Sequence, residues 1–421
     1  MGRLVERRGV RIIAVLLLIV LAQAGLAAAV SAQGGTAGGD GIVDVDPGPH
    51  GQGEAKHPLL LQTRGWRSDN QPLVAAAGPI GYTPPRIQAY LGLAGDGSGQ
   101  TIAIVDAYDN PNVEADLNVF SQQFGLPQTC GSPGANPNDC FTFTKATPQG
   151  TPRVNRGWAL EIALDVEWAH AVAPKATIML VEAPNSSFAG LFSAIDYAAS
   201  HGADVISNSW GGKEVSFETS FDSHCVRSSA VCVFSSGDSG NPGGYPAYNP
   251  SVIAVGGTTL YLGANGAVLG ETAWSGSGGG ISRQEPRPGY QDAVNGNPTR
   301  GIPDVSYNAN PKTGFAVYDS LGYLFQRGWF QVGGTSAGAP QWAAIVAVTD
   351  QLRAGHGKAP LNSVNFAAGN ALYSLTSGLA DITVGSNGFC AAVCRAGAGY
   401  DFVTGLGSPR PGIDAALAGT P

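Results

Sequence analysis

Two acids stand four residues apart in GWALEIALDVEWAHAVAP, residues 157–174: Glu161 and Asp165, in an otherwise apolar run that also carries His170. At about 100° per residue on a helix, the two carboxyls share one edge, while Ile162, Val166, Ala169 and Ala173 form a separate apolar stripe. His170 points well away from both. Acids so placed can serve general acid and base chemistry. They also occur on ordinary solvated helix edges, and the pair alone does not choose between the two.

A second stretch, GGTSAGAP (333–340), precedes the strongly helical QWAAIVAVTDQLRA. Small residues around Ser336 let a substrate approach closely. A serine at a helix start also lies beside backbone N–H groups and the positive end of the helix dipole, where an oxyanion is stabilised. Plain N-capping is the competing reading. A serine hydroxyl needs a base to become a nucleophile. The histidines offer no obvious one: His50 and His57 fall in the leader, His356 in a loop, and His201 and His224 at helix edges. Glu161 is then the candidate base, with Asp165 behind it as orienter. A third stretch, VFSSGDSG, sets Asp238 on a Gly-flanked turn. An ionised Asp there would repel a developing oxyanion, so Asp238 helps only as a neutral acid that donates a hydrogen bond; an ordinary turn aspartate is the alternative.

The elements that must position these residues follow from periodicity. QTIAIVDA (100–107), ATIMLVEA (176–183), ADVISNS (203–209), AVCVFSS (230–236) and SVIAVGG (251–257) are β-branched apolar runs bounded by turn residues. Helical stretches at 157–172, 186–200 and 216–229 lie between them. The alternation predicts an α/β fold with a mostly parallel central sheet and helices on both faces. Ligands in such sheets gather at the carboxyl ends of the strands. WSGSGGG (274–280) lacks the strand-then-helix context of a dinucleotide fingerprint and reads as a cleft wall or a surface loop.

Charged residues are 13% of the 421 and hydrophobic ones 43%, with 61 Gly, which suits a loop-rich globular protein rather than a disordered one. Residues 1–32 read as a secretory signal: a basic start, the apolar IIAVLLLIVLA, then small residues up to Ala32. An uncleaved anchor is the alternative. Removing them moves the formal net charge from −8 to −11, which argues against nucleic acid and anionic membrane as partners. Residues 33–81 read as a short propeptide or linker, and 82–421 as the functional domain. Six cysteines fall as near neighbours, Cys130 with Cys140, Cys225 with Cys232 and Cys390 with Cys394, and predict local disulfides in an exported chain.

Taken together, YTPPRIQAY, TIAIVDAYDNPN, the ExxxD of Glu161 and Asp165, SNSWGG (207–212), SSGDSG, YPAYNPSVIAVGGTTL (245–260), RGIPDVSYNANP (300–311), GGTSAGAP, DITVG and AGAGYDFVTGLGSP resemble the sedolisins. These are serine-carboxyl peptidases of subtilisin-like fold in which glutamate replaces histidine. The resemblance covers about residues 82–421. It implies Ser336 as nucleophile, Glu161 as base, Asp165 as its partner and Asp238 as the oxyanion-site acid. It implies that Ser209, Trp210 and Gly211 run along an extended peptide. It also implies one structural calcium ion held by Asp381 and Asp401 with carbonyls of Ile382, Gly397 and Gly399, which is oxygen-only, hard-cation chemistry. The expected protein is a secreted, monomeric peptidase made as a zymogen and acting on proteins or peptides, with activity between about pH 3 and 5, where a carboxylate still accepts protons. Sedolisins commonly carry a longer folded propeptide than the stretch between Ala32 and Tyr82. Two alternatives stand beside this reading: a Ser-His-Asp subtilase using His170 with Asp106 or Asp109, and a secreted binding protein on a dead peptidase scaffold.

Overall fold

A computed structural model describes residues 41–46, 50–63, 78–227, 229–364 and 371–421. The predicted signal segment and its cleavage site lie outside the described residues.

The main sheet contains β3 (Thr101–Ala107), β4 (Phe143–Ala146), β5 (Thr177–Ala183), β6 (Val205–Asn208), β7 (Val231–Ser235), β8 (Val252–Leu262), β9 (Val268–Ala273) and β10 (Val305–Asn308). Its order is β9-β8-β7-β6-β3-β5-β4, with β10 also pairing to β8. All pairings are parallel except β8 with β9. The α/β architecture and the mostly parallel sheet therefore match the expectation. Because β3 lies between β5 and β6, strand order reverses there. That is the switch point at which side chains beyond the strand ends can converge.

The helix carrying the paired acids, α1 (Arg156–Val172), is capped by Asn155, whose side chain accepts from the N–H groups of Gly157 and Trp158. Every residue from Gly157 to Val172 is buried. A helix apolar on nearly all faces belongs in a core, and this one is enclosed by α3 (Gly338–Gly355) and a second, antiparallel sheet. That sheet has the order β1-β2-β12-β11, where β1 is Ile42–Asp44, β2 Leu60–Gln62, β11 Phe315–Tyr323 and β12 Gln326–Gly333. Trp168 joins helix to sheet through an indole N–H bond to the Ala316 carbonyl (2.8 Å). On the opposite face of the main sheet, α2 (Phe188–Ser200) packs with Trp210, Phe234 and Tyr245. Fully burying each large apolar side chain contributes about 1.5–3 kcal/mol, so α1 is held rigidly by its surroundings.

Two expectations need correction. The helix expected at 216–229 is instead a short 3₁₀ helix, Glu218–Cys225. It holds Ser and Thr, which favour turns over helix interiors. Cys130 and Cys140 are bridged, as are Cys390 and Cys394, but Cys225 and Cys232 are buried free thiols packed among apolar neighbours. Residues 274–280 pack behind the Asp238 turn, where the Ser236 hydroxyl donates to the Gly278 carbonyl (2.7 Å) and the Gly278 N–H to Gly237 (2.7 Å). No helix among the described residues is long and apolar enough to cross a membrane.

Candidate active site

β12 ends at Gly333 and delivers Ser336 into a tight turn, Thr335–Ala337, that opens α3. Gly334 has φ +109°, and a Cβ on it would stand 2.0 Å from the Pro58 carbonyl oxygen and 2.4 Å from Asp238 Oδ2. Only glycine lets the chain pass here. The same two distances make the Pro58 carbonyl and the Asp238 carboxyl neighbours. Ser336 is fully buried, its Oγ has no aligned hydrogen-bond partner among the described residues, and its carbonyl accepts from the Ser209 hydroxyl (3.3 Å).

Glu161 and Asp165 are both fully buried, so the solvated-edge reading does not hold. Burial raises Glu161 to about 8, while Ser336 and Asp165 beside it favour its charged form. Asp165 is held well above its ordinary value by burial and then by the charge of Glu161, with Ser209 opposing. Two facing carboxyls rest most easily when they share a proton. These directions assign that proton to Asp165, which offers it to Glu161. A third acid, Asp106 at the end of β3, is also fully buried and raised by burial, then by Asp165 and Glu161. All six oxygens of the three acids are shielded without an aligned donor. A buried group with no neutralising Lys or Arg keeps its charge poorly and its proton well.

Asp238 completes the far side. Its Oδ1 accepts from the N–H (2.7 Å) and hydroxyl (2.9 Å) of Thr335. Its Oδ2 is shielded and unpartnered, on the side of the Pro58 carbonyl. Burial holds the carboxyl well above its ordinary value, against the lowering effect of Thr335. A protonated Oδ2 is thus a hydrogen-bond donor with no fixed partner.

The cleft holds residues that sequence reasoning assigned to the leader. Lys56 and Gly211 exchange backbone hydrogen bonds (2.8 and 3.0 Å), and the Ala55 N–H donates to Ser186 (2.7 Å). His57 is 1% exposed, with Nδ1 3.0 Å from Glu161 Oε2 and its ring edge-on to Trp158 at 4.8 Å. Burial lowers this imidazole to about 4. A cavity of about 720 Å³ adjoins, lined among others by Pro58, Gly212, Ser236, Asp238 and Gly243. Asp106 was weighed only as a partner for His170, and His57 was assigned to the leader. The first lies on a strand 55 residues before Glu161, and only the sheet brings them together; the second sits in a Gly- and Pro-rich run without periodicity. Of the expected peptide-contacting residues, Gly211 forms a backbone bridge and Ser209 meets Ser336. Trp210 turns its indole into the core, donating to the Val105 carbonyl (2.9 Å). His170 stacks on Phe141 (3.9 Å) and its Nε2 meets the Pro127 carbonyl (2.9 Å), so it is engaged away from both acids and the serine.

The C-terminal loop brings the other expected set together. The Gly399 N–H donates to Asp381 Oδ2 (2.7 Å), the Gly397 N–H to Asp401 Oδ2 (3.0 Å), and the Val403 and Thr404 N–H groups to Asp401 Oδ1 (2.8 Å each). The Thr404 hydroxyl reaches the Ile382 carbonyl (3.4 Å). Among the described residues neither acid pairs with a cation, and no group of three or more His, Cys, Asp or Glu is arranged to hold a metal ion.

A parallel sheet with its strand reversal at β3, and a serine at a helix start beside buried acids, define the architecture of subtilases. The chain matches the model of the subtilase family over residues 147–363 and belongs to that family. Within it, the chain is similar to the sedolisins. It is 34% identical over 378 residues to kumamolisin of Bacillus sp. (strain MN-32), covering 79% of this chain and 63% of that protein. It is 36% identical over 178 residues to sedolisin of Pseudomonas sp. (strain 101), covering 39% and 28% respectively. The chain thus spans less than two thirds of these curated relatives. A solved Pseudomonas sedolisin, described as a serine-carboxyl proteinase complexed with two molecules of pseudo-iodotyrostatin, superposes with a TM-score of 0.67 at 25% identity, covering 81% of this chain and 98% of that one.

Proposed function

We propose that this protein is a secreted serine-carboxyl peptidase that hydrolyses peptide bonds in acid through an acyl-enzyme on Ser336. The observation that carries the reading is the convergence of Ser336, Glu161 and Asp238, from three distant stretches of sequence, on one cleft occupied by a peptide carbonyl.

Ser336 Oγ attacks the substrate carbonyl as Glu161 takes its proton. Asp165 holds a proton toward Glu161 and so orients the base. The protonated Asp238 donates through Oδ2 to the oxyanion, an interaction whose loss costs about 10²–10³ in rate. Glu161 then passes its proton to the leaving amine, and water hydrolyses the ester by the reverse sequence. The value near 8 for Glu161 belongs to a cleft filled by residues 54–58, which exclude water from the carboxyl. Opening the cleft relieves the burial and moves Glu161 toward its ordinary range, while Asp238 must stay protonated. Activity is therefore bounded on the acid side by Glu161 and on the alkaline side by Asp238, with its maximum between about pH 3 and 5.

The oxygen-rich C-terminal loop fits one calcium ion. Asp381 and Asp401 would supply carboxylate oxygens, with carbonyls of Ile382, Gly397 and Gly399, and the ion would neutralise two acids that have no protein cation. Its role is structural.

Digestion of casein at about pH 4 by the wild type, but not by Ser336→Ala or Glu161→Gln of unchanged circular dichroism, is the expected result. Undiminished activity of Glu161→Gln at about pH 8 would refute the assignment.

A further inference from the structure

The turn that carries Asp238 does not shape itself. From 238 to 243, no backbone N–H bonds to a carbonyl of the same stretch among the described residues; Gly240 donates to the Gly276 carbonyl (2.9 Å), Asn241 to that of Asn387 (3.0 Å) and Gly243 to that of Gly279 (3.0 Å). Its form is therefore imposed from outside, by residues 276–279 and by Asn387. Gly240 records how close the second support stands: its φ is +71°, and a Cβ on it would run into the Asn387 carbonyl oxygen.

Asn387 comes from the C-terminal loop, between Asp381 and Asp401. It is 3% exposed and stands behind the turn, whereas Ser236, Asp238 and Ser239 line the cavity in front. Its carbonyl accepts from Asn241, its N–H donates to the Cys394 carbonyl (3.1 Å) and its side-chain amide donates to the Ser277 carbonyl (2.8 Å). The Cys390–Cys394 disulfide closes this loop. Gly388 brings the bridge against the turn: a Cβ there would stand 2.8 Å from Cys394 Sγ and 3.7 Å from Asn241 Cβ. Residues 276–279 are themselves tied down, since the Ser277 hydroxyl accepts from the Gly257 N–H and donates to the Val403 carbonyl (2.8 Å each). On the opposite side, the Thr335 hydroxyl that bonds Asp238 Oδ1 also accepts from the Gly237 N–H (3.0 Å). Thr335 thus sets the carboxyl from the front, and Asn387 sets its backbone from behind. Asn387 is also neutral; a cation in its place would favour the ionised form of Asp238 and remove the hydrogen bond it has to donate.

We infer that Asn387, anchored by the Cys390–Cys394 disulfide, is a positioning residue for the reaction: it fixes the turn so that Asp238 Oδ2 meets the oxyanion. This rests on the peptidase reading above, in which Asp238 is the oxyanion donor. A donor set in place before the charge forms does not have to reorganise as it forms, and a displacement of about 1 Å costs up to about 10²-fold in rate. Asn387→Ala leaves the backbone bond to Asn241 possible but releases residue 387 from Ser277. The turn is then free to drift, while every residue that lines the cleft is unchanged.

The test is a double-mutant cycle on the processed enzyme, with calcium in excess and an acid-active chromogenic peptide as substrate. Asn387→Ala is expected to lower kcat about 10–10²-fold with KM unchanged when Asp238 is present, and to lower it no further in the Asp238→Ala background, because the residue acts through that carboxyl. The paired change Cys390→Ser with Cys394→Ser, which leaves Asn387 in place, is expected to give a smaller kcat loss of the same pattern, and it carries the cycle where Asn387→Ala does not fold. An equal kcat loss with and without Asp238, a loss confined to KM, or an unchanged kcat in the variant that folds overturns the inference and leaves the peptidase reading intact. Full activity of Asp238→Ala overturns the oxyanion assignment beneath it. A wild-type enzyme that cleaves neither the peptide nor casein overturns the peptidase reading itself.

Discussion

Two pairs of acids in this protein place the same functional group in opposite environments. Asp381 and Asp401 sit in a C-terminal loop where backbone N–H groups point at their oxygens, and Asp401 receives three of them. Burial raises Asp401, and the N–H groups of Gly397, Thr404 and Val403 pull it back. Glu161 and Asp165 are buried deeper, on a rigid helix, and no aligned donor satisfies their oxygens. A carboxyl surrounded by donors is pre-shaped as an anion and suits a cation. A pair denied them shares one proton, which burial and the Glu161 charge hold on Asp165, leaving Glu161 as the group proposed to accept from Ser336. The difference lies in the environment, since the side chains are alike.

The comparison breaks most visibly at the serine and its base. Ser336→Ala or Glu161→Gln is expected to lower kcat by about 10⁶-fold, as loss of a nucleophile or its base does in related chemistry, measured on a processed enzyme with an acid-active chromogenic peptide. Next, Asp238→Ala is expected to lower kcat by about 10²–10³-fold with little change in KM, because the oxyanion donor acts in the transition state. A drop in kcat/KM from KM alone would move Asp238 out of the oxyanion site.

The C-terminal pair, proposed to hold calcium, sharpens the contrast on a different readout. With calcium near a hundredfold its Kd, binding contributes about 2.7 kcal/mol. Chelation, or Asp401→Ala, is then expected to lower Tm by about 3–4 °C, while Glu161→Gln leaves calcium dependence unchanged. A Tm indifferent to chelator would show that the loop is satisfied by its N–H groups alone.

The smallest effect is in stability against pH. Glu161 is raised to about 8 in the folded protein, and Asp165, Asp106 and Glu167 are raised by burial too. The folded state binds these protons more tightly than the unfolded chain, whose carboxyls titrate near 4. Their stabilisation is present in acid and is lost as pH rises through the folded values. His57 and His170, lowered to about 4 and about 3, act the other way and cost stability as pH falls below about 6.5. With more raised carboxyls than lowered imidazoles, Tm is expected to be higher near pH 5 than near pH 8, by scanning calorimetry, and Glu161→Gln should narrow the gap. A Tm that rises toward pH 8 would contradict the buried, proton-holding state of these acids.

Much of this was legible in the chain. The β-branched runs separated by helical stretches yield a parallel sheet because each buried strand must be apolar on both faces. GGTSAGAP and SSGDSG announce a close backbone approach, since glycine at positions such as 334 is required by sterics that a local pattern betrays. Other features were hidden for physical reasons. Periodicity indicated that Glu161 and Asp165 point the same way, but whether that edge faces water or the interior depends on β11, β12 and α3, more than 140 residues downstream. The polar run Glu218–Cys225 carries too weak a pattern to separate an α from a 3₁₀ helix. The Cys225 and Cys232 spacing is as short as that of Cys130 and Cys140, yet proximity along the chain does not set thiol orientation.

Residue types and spacing alone thus determined the fold class, the tight turn around Ser336 and the absence of a histidine motif beside it, because these follow from local sterics and the two periods of regular structure. Tertiary structure alone decided that the acids are buried without a Lys or Arg counter-ion, that Asp106 joins them, and that His57 and Pro58 fill the cleft. Burial and proton affinity are properties of everything packed around a group, and no short window of sequence contains those neighbours.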